Sequence, residues 1–397
     1  MMRSRRCAME TRMATASSVR EDSRSAGREI AQQVQENLRG TTPDFLLLFT
    51  TEQYEQAEVL RGVRSIFPET PLIGFCGAGI FTGPEVHTRG VALMGLSSPG
   101  LQVHTTVVTR VGARSREAGR EFARQAMARA GKAPYALLLT LPDPLTGCNV
   151  SEFLRGALEV TGAEVTYLGG GAGDNLRFIQ TYQMEGDQVY QDAVAGALLL
   201  SQRPIGVAVR HGWKPLSQAL TVTRSTESIV HELDWGEAFQ VYRQAAGAPD
   251  LKREDFAAFA MVHPLGIPQA EEQFVVRDPI QVQEDGSLVC VGEVPQNSIV
   301  RVMQGSKEDM VQAAREAAET ARAQLGGAQV AGAVLFDCVS RCLMLGEAFR
   351  EELAAVQKVI GADVPLVGCL TFGEIGALKG GLPQFHNKTL SMALFGR

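Results

Sequence analysis

The sequence predicts an α/β protein made of repeated helix–strand–helix–strand–strand units that form mixed sheets in two domains. Three observations predict it. The same order of apolar patterns recurs three times along the 397 residues. In each copy an apolar run of strand length precedes a helix-periodic stretch, and a second apolar run then ends among glycines. The distance from mid-strand to the first such glycine is similar each time: 28 residues from Leu46 to Gly74, 31 from Leu138 to Gly169 and 33 from Leu335 to Gly368. A strand–helix–strand core implies a right-handed crossover and parallel pairing, and a closing strand can add antiparallel.

In the first copy Ile30, Val34 and Leu38 recur at helical spacing and Gly40 stops the helix. PDFLLLFT at 43–50 reads as a strand, Leu60, Val63 and Phe67 mark a second helix, and PLIGFCGAGIF at 71–81 is followed by GVALMGL at 90–96. In the second copy Ser115 is expected to cap a helix bearing Phe122 and Ala126. YALLLTLPD at 135–143, a helix through Phe153 and Leu158, VTYLGGGAGDN at 165–175 and VAGALLL at 194–200 follow. In the third, Ser306 with Asp309 resembles a capping box, and its helix runs through Met310, Ala317 and Leu325. VAGAVLFDC at 330–338, a helix through Leu353 and Ile360, PLVGCLTFGEIG at 365–376 and TLSMALFG at 389–396 complete it. Residues 205–235 and 259–304 read as further short strands.

Composition narrows the function classes. A net charge of −6 offers no basic excess for a phosphate backbone or an acidic membrane surface, so neither nucleic acid nor membrane is expected as a partner. No apolar run approaches the ~20 residues of a membrane-spanning helix. The basic, polar N-terminus lacks the apolar stretch of a secretory signal, and residues 1–24 are expected to form a disordered basic tail. Met9 and Met13 leave a later start open. Seven scattered cysteines suit reduced thiols in the cytoplasm rather than a disulfide framework.

Four stretches carry a family resemblance: PLIGFCGAGIF with GVALMGL; HGWKPLSQALTVTRSTESIVHELDWGEAFQVY; FVVRDPIQVQEDGSLVCVGEVPQNSIVRVMQ; and LFDCVSRC with PLVGCLTFGEIG and FHNKTLSMALFG. Together they resemble the FIST (F-box and intracellular signal transduction) family over residues 30–397. The resemblance implies an N-terminal domain over 25–236 holding two repeat units. It implies a C-terminal domain over 237–397 holding a strand-rich insert and the third unit. It also implies a sensory, signal-transducing role with a small, amino-acid-like ligand. The chain shows no F-box, kinase, cyclase or chemoreceptor segment, so output is expected through a separate partner protein.

The first candidate site is Gly373-Glu374 with His386 and Asn387, after a strand of copy three, where open α/β sheets place ligands. Glu374 can receive an ammonium, and His386 and Asn387 can exchange hydrogen bonds. These residues can equally cap turns. Asp337, Cys338 and Arg341 end the preceding strand, and Arg341 could grip a carboxylate opposite Glu374 or form an internal ion pair with it. The pair Cys338 and Cys342 lacks the second Cys/His pair of a zinc site, so no metal is expected. The glycine-rich loops at 74–79 and 169–175 fit no nucleotide fingerprint, so no cofactor is expected; Asn175 can line a pocket or form a turn. Cys76 sits in a turn reminiscent of a nucleophile elbow but one residue short of the motif. Three functions follow: a ligand sensor without catalysis, a module recognising a protein segment, or a thiol or acid/base enzyme using Cys76 or Cys338 with a histidine.

Overall fold

Each apolar run becomes a strand with both faces covered, which is why it shows no polar alternation. In Phe45–Thr51, for example, Phe45, Leu47 and Phe49 enter one buried cluster while Leu46 and Leu48 enter another on the opposite face. The computed structural model describes residues 10–397.

The first unit contains β1 (Arg12–Ser18), α1 (Ser23–Asn37), β2 (Phe45–Thr51), α2 (Gln56–Arg64), β3 (Leu72–Gly77), the hairpin β4 (Ile80–Thr82) and β5 (Glu85–His87), and β6 (Val91–Ser97). The second repeats this order: β7 (Gln102–Thr109), α3 (Ser115–Met127), β8 (Tyr135–Pro142), α4 (Val150–Thr161), β9 (Thr166–Gly170), the hairpin β10 (Gln183–Glu185) and β11 (Gln188–Tyr190), and β12 (Ala193–Ser201). The third opens with β13 (Ile205–Arg210) and is then interrupted. The interruption holds β14 (Lys214–Pro215), β15 (Leu220–Thr226), β16 (Ile229–Leu233), β17 (Gly236–Glu237), α5 (Ala238–Ala245), α6 (Phe256–Met261), β18 (Leu265–Pro268), β19 (Phe274–Val282), β20 (Leu288–Val291) and β21 (Ile299–Gln304). The unit then resumes with α7 (Lys307–Ala323), β22 (Val330–Cys338), α8 (Val339–Leu345), α9 (Phe349–Ile360), β23 (Leu366–Thr371), the hairpin β24 (Glu374–Ala377) and β25 (Pro383–His386), and β26 (Leu390–Gly396).

The mixed α/β fold is as the sequence predicts, but the units exchange parts. The three six-stranded sheets run β1-β6-β2-β3-β10-β11, β7-β12-β8-β9-β24-β25 and β13-β26-β22-β23-β4-β5. In each, only the two central strands pair parallel, and the edge hairpin is donated by another unit: the second gives to the first, the third to the second, and the first to the third. The connectivity is therefore cyclic. The inner faces share one apolar core that includes Phe49, Phe75, Leu139, Leu141, Phe336 and Val367. Phe49 packs edge-on against Phe75 and Phe336, with ring centroids 5.4 and 5.9 Å apart. The helices cover the outer faces. The repeat glycines hold one register: Gly74, Gly169 and Gly368 pair with Leu48, Thr140 and Leu335. At each, a Cβ would come within 2.4, 1.8 and 2.6 Å of that partner's carbonyl oxygen, so only glycine fits.

Three expectations change. Each unit begins with a strand, not a helix. The span 1–24, read as a disordered tail, instead supplies β1 and the start of α1, because both faces of β1 are covered beside β6, Met13 entering one buried cluster and Ala14 and Ala16 another; residues 1–9 of that span lie outside the described residues. Residues 236 and 237, at the expected division, form β17, which pairs with β16. The interrupting sheet enters and leaves the third unit side by side, with Lys214 opposite Gln304. The capping box at Ser306 and Asp309 forms, whereas Ser115 bonds the Val111 carbonyl and does not cap α3.

Candidate functional site

Strand alternation places Phe336 in the central core, so Asp337 points outward beneath the helices. One turn into α8, Arg341 returns toward it, with Nε 3.2 Å from the Asp337 carboxylate. Glu352 of α9 meets the same guanidinium at 2.7 Å, and none of these three side chains is exposed. The remaining guanidinium donors are occupied too, by the His211 carbonyl at 2.8 Å, the Met310 carbonyl at 3.2 Å and the Met310 sulfur at 3.0 Å. Burial pushes the Asp337 carboxyl well above the usual range, the Glu352 charge adds to this, and Arg341 opposes it. Arg341 and Glu374 therefore do not form the pair, or the two-ended grip, that the sequence suggests. The five guanidinium donors go to Glu352 twice, to two carbonyls and to the Met310 sulfur, with Asp337 as a close counter-charge, leaving no donor directed at a ligand.

Glu374 opens β24, the strand donated to the second unit, where it lies opposite Gly170. Its carboxyl meets the Thr371 hydroxyl at 2.6 Å, the Thr389 hydroxyl at 2.7 Å and the Thr389 amide at 3.2 Å. Burial pushes it up to about 8, against the pull of those hydrogen bonds. The Thr371 hydroxyl also lies 3.1 Å from the Asp337 carbonyl. One hydroxyl carries one proton, so Thr371 can donate to that carbonyl and accept from a protonated Glu374. The preceding Gly373 has φ +93°, and a Cβ there would sit 2.1 Å from the Phe385 ring.

The turn His386-Asn387-Lys388-Thr389 joins β25 to β26 and is wholly buried. Nε2 of His386 lies 3.0 Å from the Gly376 carbonyl, which makes it the protonated nitrogen. Burial lowers the imidazole to about 4, so Nδ1 is an acceptor, and it has no partner among the described residues. Asn387 Oδ1 is likewise buried without a partner. Lys388 adopts a left-handed φ of 54° and reaches Asp278 of the interrupting sheet at 3.0 Å. Its ammonium lies 5.9 Å from the centre of the Trp213 ring, and its carbonyl accepts from the Trp213 indole at 3.1 Å. Arg277, beside Asp278, donates to the Phe385 carbonyl at 2.9 Å. The interrupting sheet thus closes on the third unit through buried polar contacts. Lys388, Asp278 and Glu352 were missed in the sequence: the run HNKT between two strands was the available signal for Lys388, and nothing local marks the other two.

The remaining candidates are held elsewhere. Cys338 Sγ lies 3.1 Å from the Ser340 hydroxyl, and burial together with Glu374 pushes the thiol up to about 12. Cys76 Sγ accepts from the Tyr182 amide at 3.1 Å and is also pushed up to about 12 by burial. Neither is hydrogen-bonded to a histidine among the described residues. Asn175 is in a left-handed turn and donates to the Thr88 carbonyl at 2.9 Å. The neighbouring Asp174 carboxylate accepts three backbone amides, from Phe178, Ile179 and Gln180, which sets this loop. The glycine-rich loops meet each other: Gly171 donates to the Gly373 carbonyl and Gly173 to the Cys76 carbonyl. In the first and second units, Ile80 and Gln183 stand at the place of Glu374, so the charged set belongs to the third unit alone.

No helix among the described residues is long and apolar enough to cross a membrane. An uncharacterized protein of Mycobacterium tuberculosis is 25% identical over 387 residues, spanning 94% of this chain and 97% of its own. One of Methanocaldococcus jannaschii is 22% identical over 400 residues, spanning 91% of this chain and 74% of its own. A chorismatase overlaps 98% of this chain and 99% of its own at 11% identity, with a TM-score of 0.34, too slight a likeness to bear on function. Residues 44–236 match the FIST N domain and residues 238–377 the FIST C domain, whose family is associated with signal transduction and small-ligand sensing. With the greater part of its length matched in this order, the chain belongs to the FIST family.

Proposed function

We propose that this chain is a cytoplasmic, non-catalytic sensor that binds a small amino-acid-like molecule between the third unit and the interrupting sheet, and signals through a separate protein. One observation carries the reading: two buried acceptors, His386 Nδ1 and Asn387 Oδ1, lie without a partner among the described residues next to the Lys388–Asp278 ion pair. Buried polar atoms without partners are costly, and a ligand ammonium would satisfy both acceptors. Its carboxylate would take Lys388 from Asp278. This assigns the carboxylate-binding role to Lys388 rather than Arg341. Entry requires the interrupting sheet to swing on its paired connections at Lys214 and Gln304.

The test is a thermal-shift panel of amino acids, small carboxylates and nucleotides, run on the wild type, Asn387→Ala and Lys388→Met. A compound at 100 times its Kd stabilises by about 2.7 kcal/mol. The reading holds if one amino acid raises Tm in the wild type and neither folded variant responds. It fails if no compound shifts the wild type, or if both variants respond unchanged.

A further inference from the structure

The outer helices of the three units can be superposed residue by residue through their sequences. AGREIA at 26–31 and AGREFA at 118–123 correspond to AAREAA at 313–318. EVLRGV at 58–63 and EFLRGA at 152–157 correspond to EELAAV at 351–356. Both helix-crossing glycines of the first two units are thus alanines in the third, at Ala314 and Ala355. In the first two units the glycines bring the helix backbones together. A Cβ at Gly62 would lie 2.3 Å from the Arg24 carbonyl oxygen, and one at Gly156 would lie 1.9 Å from that of Arg116. The counterparts of Arg116 and Gly156 are Val311 and Ala355. There no glycine lets the backbones touch, and the two residues line an open groove of about 750 Å³.

The charges across the crossing change as well. In the second unit Glu159 of α4 ties the helices together, at 2.6 Å from Arg116 and 2.5 Å from Arg120 of α3. Three residues beyond the glycine, the counterpart of Glu159 is Lys358, and the counterpart of Arg120 is Arg315. A pair of opposite charges has become a pair of like charges on either side of the groove. Arg322 adds a third cation, against the single carboxylate Glu319, which already bonds Arg315. Lys358 forms no ion pair among the described residues, and Arg322 spends one donor on the Val359 carbonyl at 2.7 Å and keeps the rest of its guanidinium free of any carboxylate, while Val311, Ala355 and Val359 supply an apolar floor.

We infer that the groove between α7 and α9 receives an acidic, amphipathic helical segment of a partner protein, with carboxylates on Lys358, Arg315 and Arg322 and apolar side chains on the floor. This gives the signalling reading a concrete output surface and rests on it for its purpose. The groove lies on the outer face of the helices, away from the turn at 386–389, and its occupancy is measured without any small ligand. Failure of one therefore leaves the other measurable.

The experiment is fluorescence anisotropy of the full chain with a fluorescein-labelled 16-residue peptide bearing Leu at helical i, i+3, i+4, i+7 spacing and Glu elsewhere. A Leu/Lys peptide of the same pattern is the control. The acidic peptide is expected to bind at least tenfold tighter than the basic one, with affinity falling as salt rises. Lys358→Glu restores the charge pattern of the second unit at an exposed position, and it is expected to weaken binding tenfold or more without lowering Tm. Arg322→Ser, also exposed, is expected to weaken it severalfold. Equal affinity of the wild type and Lys358→Glu overturns the inference, as does equal binding of the two peptides. Displacement of the peptide by oligouridylate or by millimolar free glutamate, at equal or higher affinity, also overturns it in favour of those ligands.

Discussion

The second and third units share one order of elements yet differ in what their outer helices cover. In the second, Phe153 and Phe122 fill the space under α3 and α4, with ring centroids 5.3 Å apart. In the third, the counterpart of Phe153 is Glu352 and that of Phe122 is Ala317. An aromatic contact has become a buried carboxylate facing Arg341, which lies on a helix the second unit lacks. The exchange teaches that the unit is a scaffold whose packing tolerates substitution, and that polarity has been concentrated in one copy. Buried ion pairs rarely exceed apolar packing in stability, so this network is costly to leave incomplete.

The largest expected effect breaks that network. Arg341→Ala leaves Asp337 and Glu352 buried without their counter-charge and should cost about 3–5 kcal/mol in urea unfolding. The triple change Asp337→Thr, Arg341→Leu and Glu352→Val, which restores the polarity of the first unit, should recover most of that loss. A neutral Arg341→Ala would show that the two units differ in composition only.

A smaller effect probes the helix crossing. Gly156→Ala forces a methyl group into the Arg116 carbonyl and should cost about 1–3 kcal/mol. The reverse change, Ala355→Gly, meets no such clash and should cost only about 1 kcal/mol, the usual penalty of glycine in a helix. Equal costs, read from denaturant midpoints, would remove the distinction between a closed and an open crossing.

Glu374 sharpens the comparison through pH, since Gln183 holds its place in the second unit's hairpin. Its folded value, about 8, lies above the ordinary 4.5. The stability that the neutral acid contributes is fully present below about 4.5 and is lost as pH rises through about 8. Glu374→Gln keeps the shape and removes the proton. Its Tm should therefore fall less than that of the wild type between pH 5 and pH 9, and a parallel decline would refute the assignment. The smallest effect concerns thiols. Cys76 and Cys338 should show no fast alkylation by iodoacetamide at pH 7, followed site by site by mass spectrometry, because burial keeps both protonated. A fast phase at either would revive a thiol enzyme.

Much of the fold was legible because hydrophobic periodicity is local. The strands around Leu46, Leu138 and Leu335, the glycines at 74, 169 and 368 and the cap at Ser306 each announce themselves within a few residues. β1 was not legible, since RMATASS has few large apolar side chains and earns its place only by pairing with β6. At the candidate site, Glu374, His386 and Asn387 were visible as polar groups between apolar strands. Arg341 was visible too, but its partner was not. Glu352 sits in an E-E-L stretch that reads as solvent-facing, and only the path of α8 turns it inward.

By itself the sequence determined the number of units, the order of their helices and central strands, and the family, because these depend on spacing along the chain. Only the tertiary structure decided that each unit lends its hairpin to another, that a sheet interrupts the third unit ahead of its first helix, and that Lys388 meets Asp278. Those pairings join residues as far apart as Cys369 and Ile80 or Lys388 and Asp278. Their partners are selected by the shared core and by the demand that buried polar groups be matched, neither of which leaves a mark on neighbouring residues.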